Sequence, residues 1–480
     1  MLVYNKDNGG ILMEVNQIIK NYTGKDVIEM PALTTTWLQW YQGDVKDFHN
    51  YEDYNGEKKL TLHRRTLNMA KKVAEDWANL LLNEKTNIVI GNEEQQQAFW
   101  DLLSSVYFWQ KGNEGVEKAF ALGNGAFVEG FDENKKARLQ FVNATKIKPL
   151  NIEQDRITEC AFVNTNTDNT IIQIHIKGRT EKEKFVVDYN GTYHILTLIY
   201  RKNNVNSQDI GELVSKDNAW LDTKSDKPWF QMLKPNIANN EDVNSPMGIS
   251  VYANALDTLQ GVDLAYDGFC EEMRLGKAKI FINKKLTQYD ENGEHLIFDV
   301  NQTGFYYLGE TADKQPVTFY NPVLRTDGYF NGINNGLNLL SSKCGFGENH
   351  YRFNENGIST ATQVISEQNE KFKTKRKHEI ILYDVLVDMS RALMYISNEF
   401  TDNPVKFDLN ANIEVKFDDS IIEDKATEML NDRQDLASGV ISRVEYRMKW
   451  YGEDEATAKR KIAEIDAEKR ANMTNFFTEE

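Results

Sequence analysis

"GFGENHYRFNENG" (Gly345–Gly357) runs directly into "ISTATQVISEQNEKFKTKRKHEIILYDVLVDMSRALMYISNEF" (Ile358–Phe400). The first stretch reads as a loop, with glycine at 345, 347 and 357. The second reads as one long helix. Ser359 or Thr360 suits its N-cap. Ala361, Val364, Ile365 and Phe372, then Leu382, Val385, Leu386, Met389, Leu393, Ile396 and Phe400, recur at helical spacing. Pro404 stops it. At helical rise the segment is roughly 60 Å long. Its apolar stripe pauses through "KTKRKHE", which predicts that the middle leaves the core or that the helix kinks there. That gap holds most of a basic knot: Lys371, Lys373, Lys375, Arg376 and Lys377.

The knot is set in an acidic chain, with 56 Lys+Arg, 73 Asp+Glu and a net charge of −17. A protein that grips nucleic acid tightly carries a basic footprint, so a repressor-like binder is not expected. A surface past which DNA merely slides tolerates weak repulsion, because phosphate attraction is what makes binding tight. Cys160, Cys270 and Cys344 are far apart and form no CxxC pair, so neither a zinc site nor a disulfide framework is expected and a reducing cytoplasm fits. No basic-then-apolar leader opens the sequence, and no apolar run approaches the roughly 20 residues that span a bilayer. A chain of 480 residues calls for two to four sub-domains, and with 8 prolines and no flexible linker these should pack together.

Upstream of the loop, "RTDGYFNGINNGLNLLSSKCG" reads as a weak helix whose Gly328, Gly332 and Gly336 would present a smooth face to a neighbour. A β-rich insert, about 277–323, precedes it. Before that lies a stronger helix, with Ser245 as N-cap, Pro246 at its first position, Gly276 at its end and a stripe from Tyr252 to Met273. Residues 125–218 read as strands, with "DYNGTY" as a hairpin turn. The N-terminal part is helical around 65–84 and 93–122, with a short buried strand at "NIVIG" and an aromatic-rich arm (Trp37, Trp40, Tyr41, Phe48, Tyr51, Tyr54) before them. The C-terminal part reads as the strand "NIEVKF" followed by three helical runs. The fold class is α+β.

Signals for catalysis are scarce. The chain has no GxxxxGK[ST] loop, no HExxH and no nucleophile elbow. His378 and Glu379 are adjacent on a helix and face different ways. No catalytic residue, metal ligand or cofactor is therefore assigned.

This order of elements resembles the portal proteins of tailed bacteriophages, in the type found with Gram-positive hosts. The stretches that carry the resemblance are "KPNIANNEDVNSPMGISVYANALDTLQGVDLAYDGFCEEMRLGKAKIFIN" (Lys234–Asn283), "GISTATQVISEQNEKFKTKRKHE" (Gly357–Glu379) and "IEVKFDDSIIEDKATEMLNDRQDLASGVISRVE" (Ile413–Glu445). The resemblance implies a homo-oligomeric ring, usually of twelve copies, at one capsid vertex, through which double-stranded DNA passes without being read. Residues 1–244 would form the wing, 245–276 the first stem helix, 277–323 the clip and 324–343 the second stem helix. A tunnel loop would follow at 344–357, the long wing helix at 358–402 and the crown at 403–480. The clip, through residues such as Lys284 and Lys285, would meet the terminase large subunit and later a head-completion adaptor. The wing would meet the major capsid protein and the scaffolding protein. Localisation would be the virion, with host cytoplasm during assembly, and no membrane is involved. In the loop, Gly345, Gly347 and Gly357 would act as hinges, and His350, Tyr351, Arg352 and Asn354 would be nearest the DNA.

Each expectation has a plainer rival. The basic knot either faces the channel above the loop or pairs with acidic groups, as a solvated face or across a subunit boundary. The loop's rival is an ordinary surface turn. For the whole chain the rivals are another ring-forming virion connector and an intracellular enzyme with an unrecognised site.

Overall fold

The structure, a computed structural model, describes residues 6–91, 93–181, 184–186, 191–202, 210–215, 220–283, 305–308, 317–353, 361–418 and 425–476. Its helices are α1 (Lys6–Thr23), α2 (Thr34–Gln42), α3 (Lys46–His49), α4 (Met69–Leu81), α5 (Glu93–Ser105), α6 (Phe108–Leu122), α7 (Leu256–Leu275), α8 (Thr326–Lys343), α9 (Ala361–Phe400), α10 (Lys425–Ser438), α11 (Arg443–Tyr451) and α12 (Glu455–Phe476). The chain divides into two units, Met1–Phe417 and Asp418–Glu480.

In the first unit the strands form separate small sheets. A hairpin pairs β1 (Asn50–Tyr54) with β2 (Lys59–His63), and β3 (Asn87–Ile90) pairs with the late strand β18 (Ile413–Lys416). A three-stranded sheet places β4 (Gly125–Phe131) between β5 (Ala137–Asn143) and β14 (Phe230–Leu233). The largest sheet is antiparallel. It holds β6 (Ile147–Glu153), β7 (Arg156–Thr165), β8 (Asn169–Ile176), β11 (His194–Arg201), β12 (Glu212–Leu213) and β13 (Trp220–Asp222). Short β9 (Arg179–Glu181) and β10 (Lys184–Val186) pair beside it. The insert after α7 holds β15 (Lys279–Asn283), parallel to β16 (Phe305–Leu308) and antiparallel to β17 (Val317–Tyr320). The fold is α+β throughout.

One core joins the elements that matter for function. Trp77 of α4, Phe120 of α6, Leu259 and Val262 of α7, Leu337 and Leu340 of α8, and Leu386, Met389 and Leu393 of α9 belong to it. A second core packs Val15 and Ile19 of α1 on the large sheet, against Ile174, Leu196 and Leu198. Helix α7 also buries a carboxylate. Asp263 accepts hydrogen bonds from Thr66 Oγ1 (2.8 Å), the Leu67 N–H (2.9 Å) and His49 Nε2 (3.2 Å). The Val45 N–H donates to His49 Nδ1, which fixes the tautomer.

Several expectations are corrected. The helix read from Ser245 begins instead at Leu256, so it is roughly 30 Å long. Residues 245–252 are not helical because their backbone is already engaged: Gly248 exchanges two hydrogen bonds with the Asn124 side chain, and the Val251 N–H reaches the Phe120 carbonyl. The turn expected at "DYNGTY" falls on residues 188–190, which lie outside the described residues. The strand before it, β10, pairs with β9, and the strand after it, β11, pairs with β8 and β13. The strand expected in "NIEVKF" is β18, which pairs with β3, and the second unit starts at Asp418. Nor does α9 leave the core at its basic stretch: it runs unbroken from 361 to 400, and Lys375 and His378 are 1% and 2% exposed.

Candidate functional site

The loop after α8 is built by polar residues of α8 itself. Past Lys343 the chain folds back along the helix. The Phe346 N–H donates to the Ser341 carbonyl, the Asn349 N–H to Asn338 Oδ1 (2.6 Å), the Tyr351 N–H to Ser341 Oγ (2.9 Å) and the Phe353 N–H to Asn334 Oδ1 (2.9 Å). The reversal needs left-handed backbone, and Gly345 and Gly347 supply it with φ of 82° and 80°. Gly345 also lies against α9, where an added Cβ would sit 2.8 Å from Thr374 Cγ2.

Side chains lock this path onto α4. Phe346 is 1% exposed and stacks between Trp77 (4.5 Å between centroids) and His350 (4.4 Å). Trp77 Nε1 donates to the Cys344 carbonyl. The Tyr351 hydroxyl donates to Asp76 Oδ2 at 2.8 Å, with Lys72 Nζ 2.5 Å and His350 Nε2 3.8 Å from the same carboxylate. Burial pushes the Asp76 carboxyl up, but nearby His350 and the hydrogen bonds from Lys72 and Tyr351 outweigh it and hold the group below the usual carboxylate range. Burial, then the Asp76 charge, push the Tyr351 phenol up.

The residues named from sequence therefore divide. Tyr351 is buried and belongs to the support, and His350 flanks it. Arg352 is partly exposed and the Phe353 ring is 50% exposed, while the Phe353 backbone is still bound to Asn334 of α8. Gly345 and Gly347 lie in the anchored part of the loop. Asn354 and Gly357 lie outside the described residues, as do Lys284 and Lys285 of the insert. In the basic stretch, Lys373, Arg376 and Lys377 are exposed and Lys371 is half-buried, burial holding its ammonium below the usual lysine range. Lys375 points inward and pairs with Glu379 at 2.6 Å. One turn away, the Asn236 N–H donates to His378 Nδ1 (3.0 Å), and burial, aided by nearby Lys377, lowers this imidazole to about 3, so it is neutral. Sequence reading missed Asp76, Trp77 and Phe346 as supports. Asp76 is 275 positions from Tyr351, and no local pattern marks so distant a partner.

What the arrangement offers is mechanical. An anchored loop presents Arg352 and the Phe353 ring to solvent, and Lys373, Arg376 and Lys377 form an exposed cationic face on α9. Among the described residues no group of acidic, histidine or cysteine side chains could hold a metal ion, and no helix is long and apolar enough to cross a membrane.

Residues 32–474 match the family described as phage portal protein, SPP1 Gp6-like. No curated protein matches the chain. Among solved structures, it is similar to a chain in the virion of a native gene transfer agent particle, at 11% identity and TM-score 0.39, covering 92% of this chain and 98% of that one. It is also similar to a chain in the neck of the empty particle, at 11% identity and TM-score 0.40, covering 88% and 94%.

Proposed function

The chain belongs to the SPP1 Gp6-like family of phage portal proteins, a structural family of the virion whose ring passes double-stranded DNA in packaging and ejection, and from that premise we propose how its parts divide the work. The first unit up to α7 acts as the wing, facing capsid and scaffolding protein. Helices α7 and α8 act as the stem, and the β15–β17 insert acts as the clip, docking the terminase large subunit and then a head-completion adaptor. The unit from Asp418 acts as the crown. Twelve copies would close the ring, assembled in the host cytoplasm. The chain supplies no catalysis; ATP is spent by the separate motor.

Within this division, Arg352 is the group of the described loop that meets DNA. The observation that carries the assignment is the anchored path: Cys344 to Phe353 is held against α4, α8 and α9, and Arg352 and the Phe353 ring are the groups near its end that reach solvent. Repeated around a ring, Arg352 would form a cationic collar that touches phosphates without reading bases. The exposed Lys373, Arg376 and Lys377 would lie on the same channel or on the adjoining subunit. The test is Arg352→Glu in the full-length protein. Rings should form normally while packaged DNA per head falls. Normal packaging would remove Arg352 from the channel.

A further inference from the structure

Helix α8 carries two unlike flanks at one level. Residues two apart on a helix point roughly 200° from each other. On one flank, Phe330 (36% exposed) lies 6.5 Å from Phe353 (50% exposed), and Asn334 bonds both the N–H and the carbonyl of Phe353. These two rings form an apolar knob in solvent. On the opposite flank, an open groove of about 420 Å³ runs between α7 and α8. Its floor is Gly261, Gly332 and Gly336, and its rim includes Asp257, Leu339 and Lys343. Gly336 is packed against Val262 of the same chain, whereas a Cβ on Gly261, Gly328 or Gly332 would meet nothing within 4 Å. Leu339 beside it is 52% exposed.

We propose that the groove receives the Phe330–Phe353 knob of a second copy of this chain. Knob and groove are complementary but lie on different surfaces, so each copy offers one to its left and the other to its right. Such a heterologous contact closes into a ring if the rotation closes. The contact has a consequence for the loop. Phe353 follows Arg352 directly, so seating the knob would fix each subunit's DNA-facing segment to the neighbour's stem. The proposal rests on the ring reading above.

The experiment uses full-length protein carrying Phe330→Cys together with Gly332→Cys, oxidised with copper phenanthroline and run on a non-reducing gel. The two thiols point to opposite flanks of one helix, so bridging must occur between copies. A ladder of covalent oligomers from the double variant, absent from either single variant, is expected. Rings seen by native mass without a ladder would overturn the contact and leave the ring reading intact. Wild-type protein that never forms rings would overturn both. As a second variant, Gly332→Leu fills open space in the monomer. Its thermal midpoint should be unchanged or higher, while its half-assembly concentration should rise at least tenfold. Assembly at the wild-type concentration would refute the proposal.

Discussion

Removing the Tyr351 hydroxyl tests whether the loop base is held as described. In the full-length protein, Tyr351→Phe keeps the buried ring and deletes one hydrogen bond, 2.8 Å to Asp76 Oδ2. A bond to a charged partner is worth about 1.5–3 kcal/mol net. Asp76 is 17% exposed and keeps Lys72 at 2.5 Å, so part of the loss is recovered. The expected local cost is therefore about 1–2 kcal/mol, which corresponds to roughly 5–30-fold faster opening. Hydrogen exchange reads it directly, because the Asn349, Tyr351 and Phe353 amides are each donated to a side chain of α8. The pH dependence has a definite sign. The Asp76 carboxyl is held below its ordinary 3.8, so the bond's contribution is in force above that value. It is lost as pH falls through the lowered folded value. Variant and wild type should differ by a constant factor between about pH 5 and 8 and converge in acid. Unchanged exchange at pH 7, or a gap that widens on acidification, would refute the reasoning.

Three further outcomes are expected. Gly336→Ala places a Cβ 2.8 Å from Val262 Cγ2 and should lower stability by about 1–3 kcal/mol, whereas Gly332→Ala, in open space, should raise it by about 0.5–1; thermal melts of the pair separate the two effects. His175 is fully buried between Phe162 and Phe230, and burial lowers its imidazole to about 3, so the unfolded chain takes up the extra proton as pH falls below about 6.5. Stability should fall by up to roughly 1.4 kcal/mol per pH unit below that point on account of this residue, and His175→Leu should flatten the slope in denaturant titrations. Glu129 is 1% exposed, and burial raises its carboxyl well above 4.5, so its cost grows as pH rises past that value. Glu129→Gln should match wild type near pH 4 and exceed it in chemical denaturation at pH 8.

Periodicity carried much of the fold. The stripe of α4 and that of α9 from Leu382 to Leu393 lie in sequence as they lie in the core, and the α8 helix forms despite its glycines because Ile333, Leu337 and Leu340 bury one face. What escaped sequence reading depended on distant partners. Residues 245–252 carry good capping signals, yet their N–H groups find Asn124 and Phe120 instead. The gap in the α9 stripe is polar in sequence, yet two of its residues, Lys375 and His378, are buried, since Glu379 pairs with Lys375 and the Asn236 backbone satisfies His378. The candidate loop was legible from its glycines. Its anchoring was not, because that is decided by Asp76 and Trp77 on a helix far upstream.

The central claim is that copies of this chain close around a channel wide enough for duplex DNA. Electron microscopy of the purified full-length protein, paired with native mass determination, tests it most directly. The account predicts rings of about twelve subunits with a central hole, and density for Arg352 on its wall. A compact dimer or tetramer without a channel would contradict it.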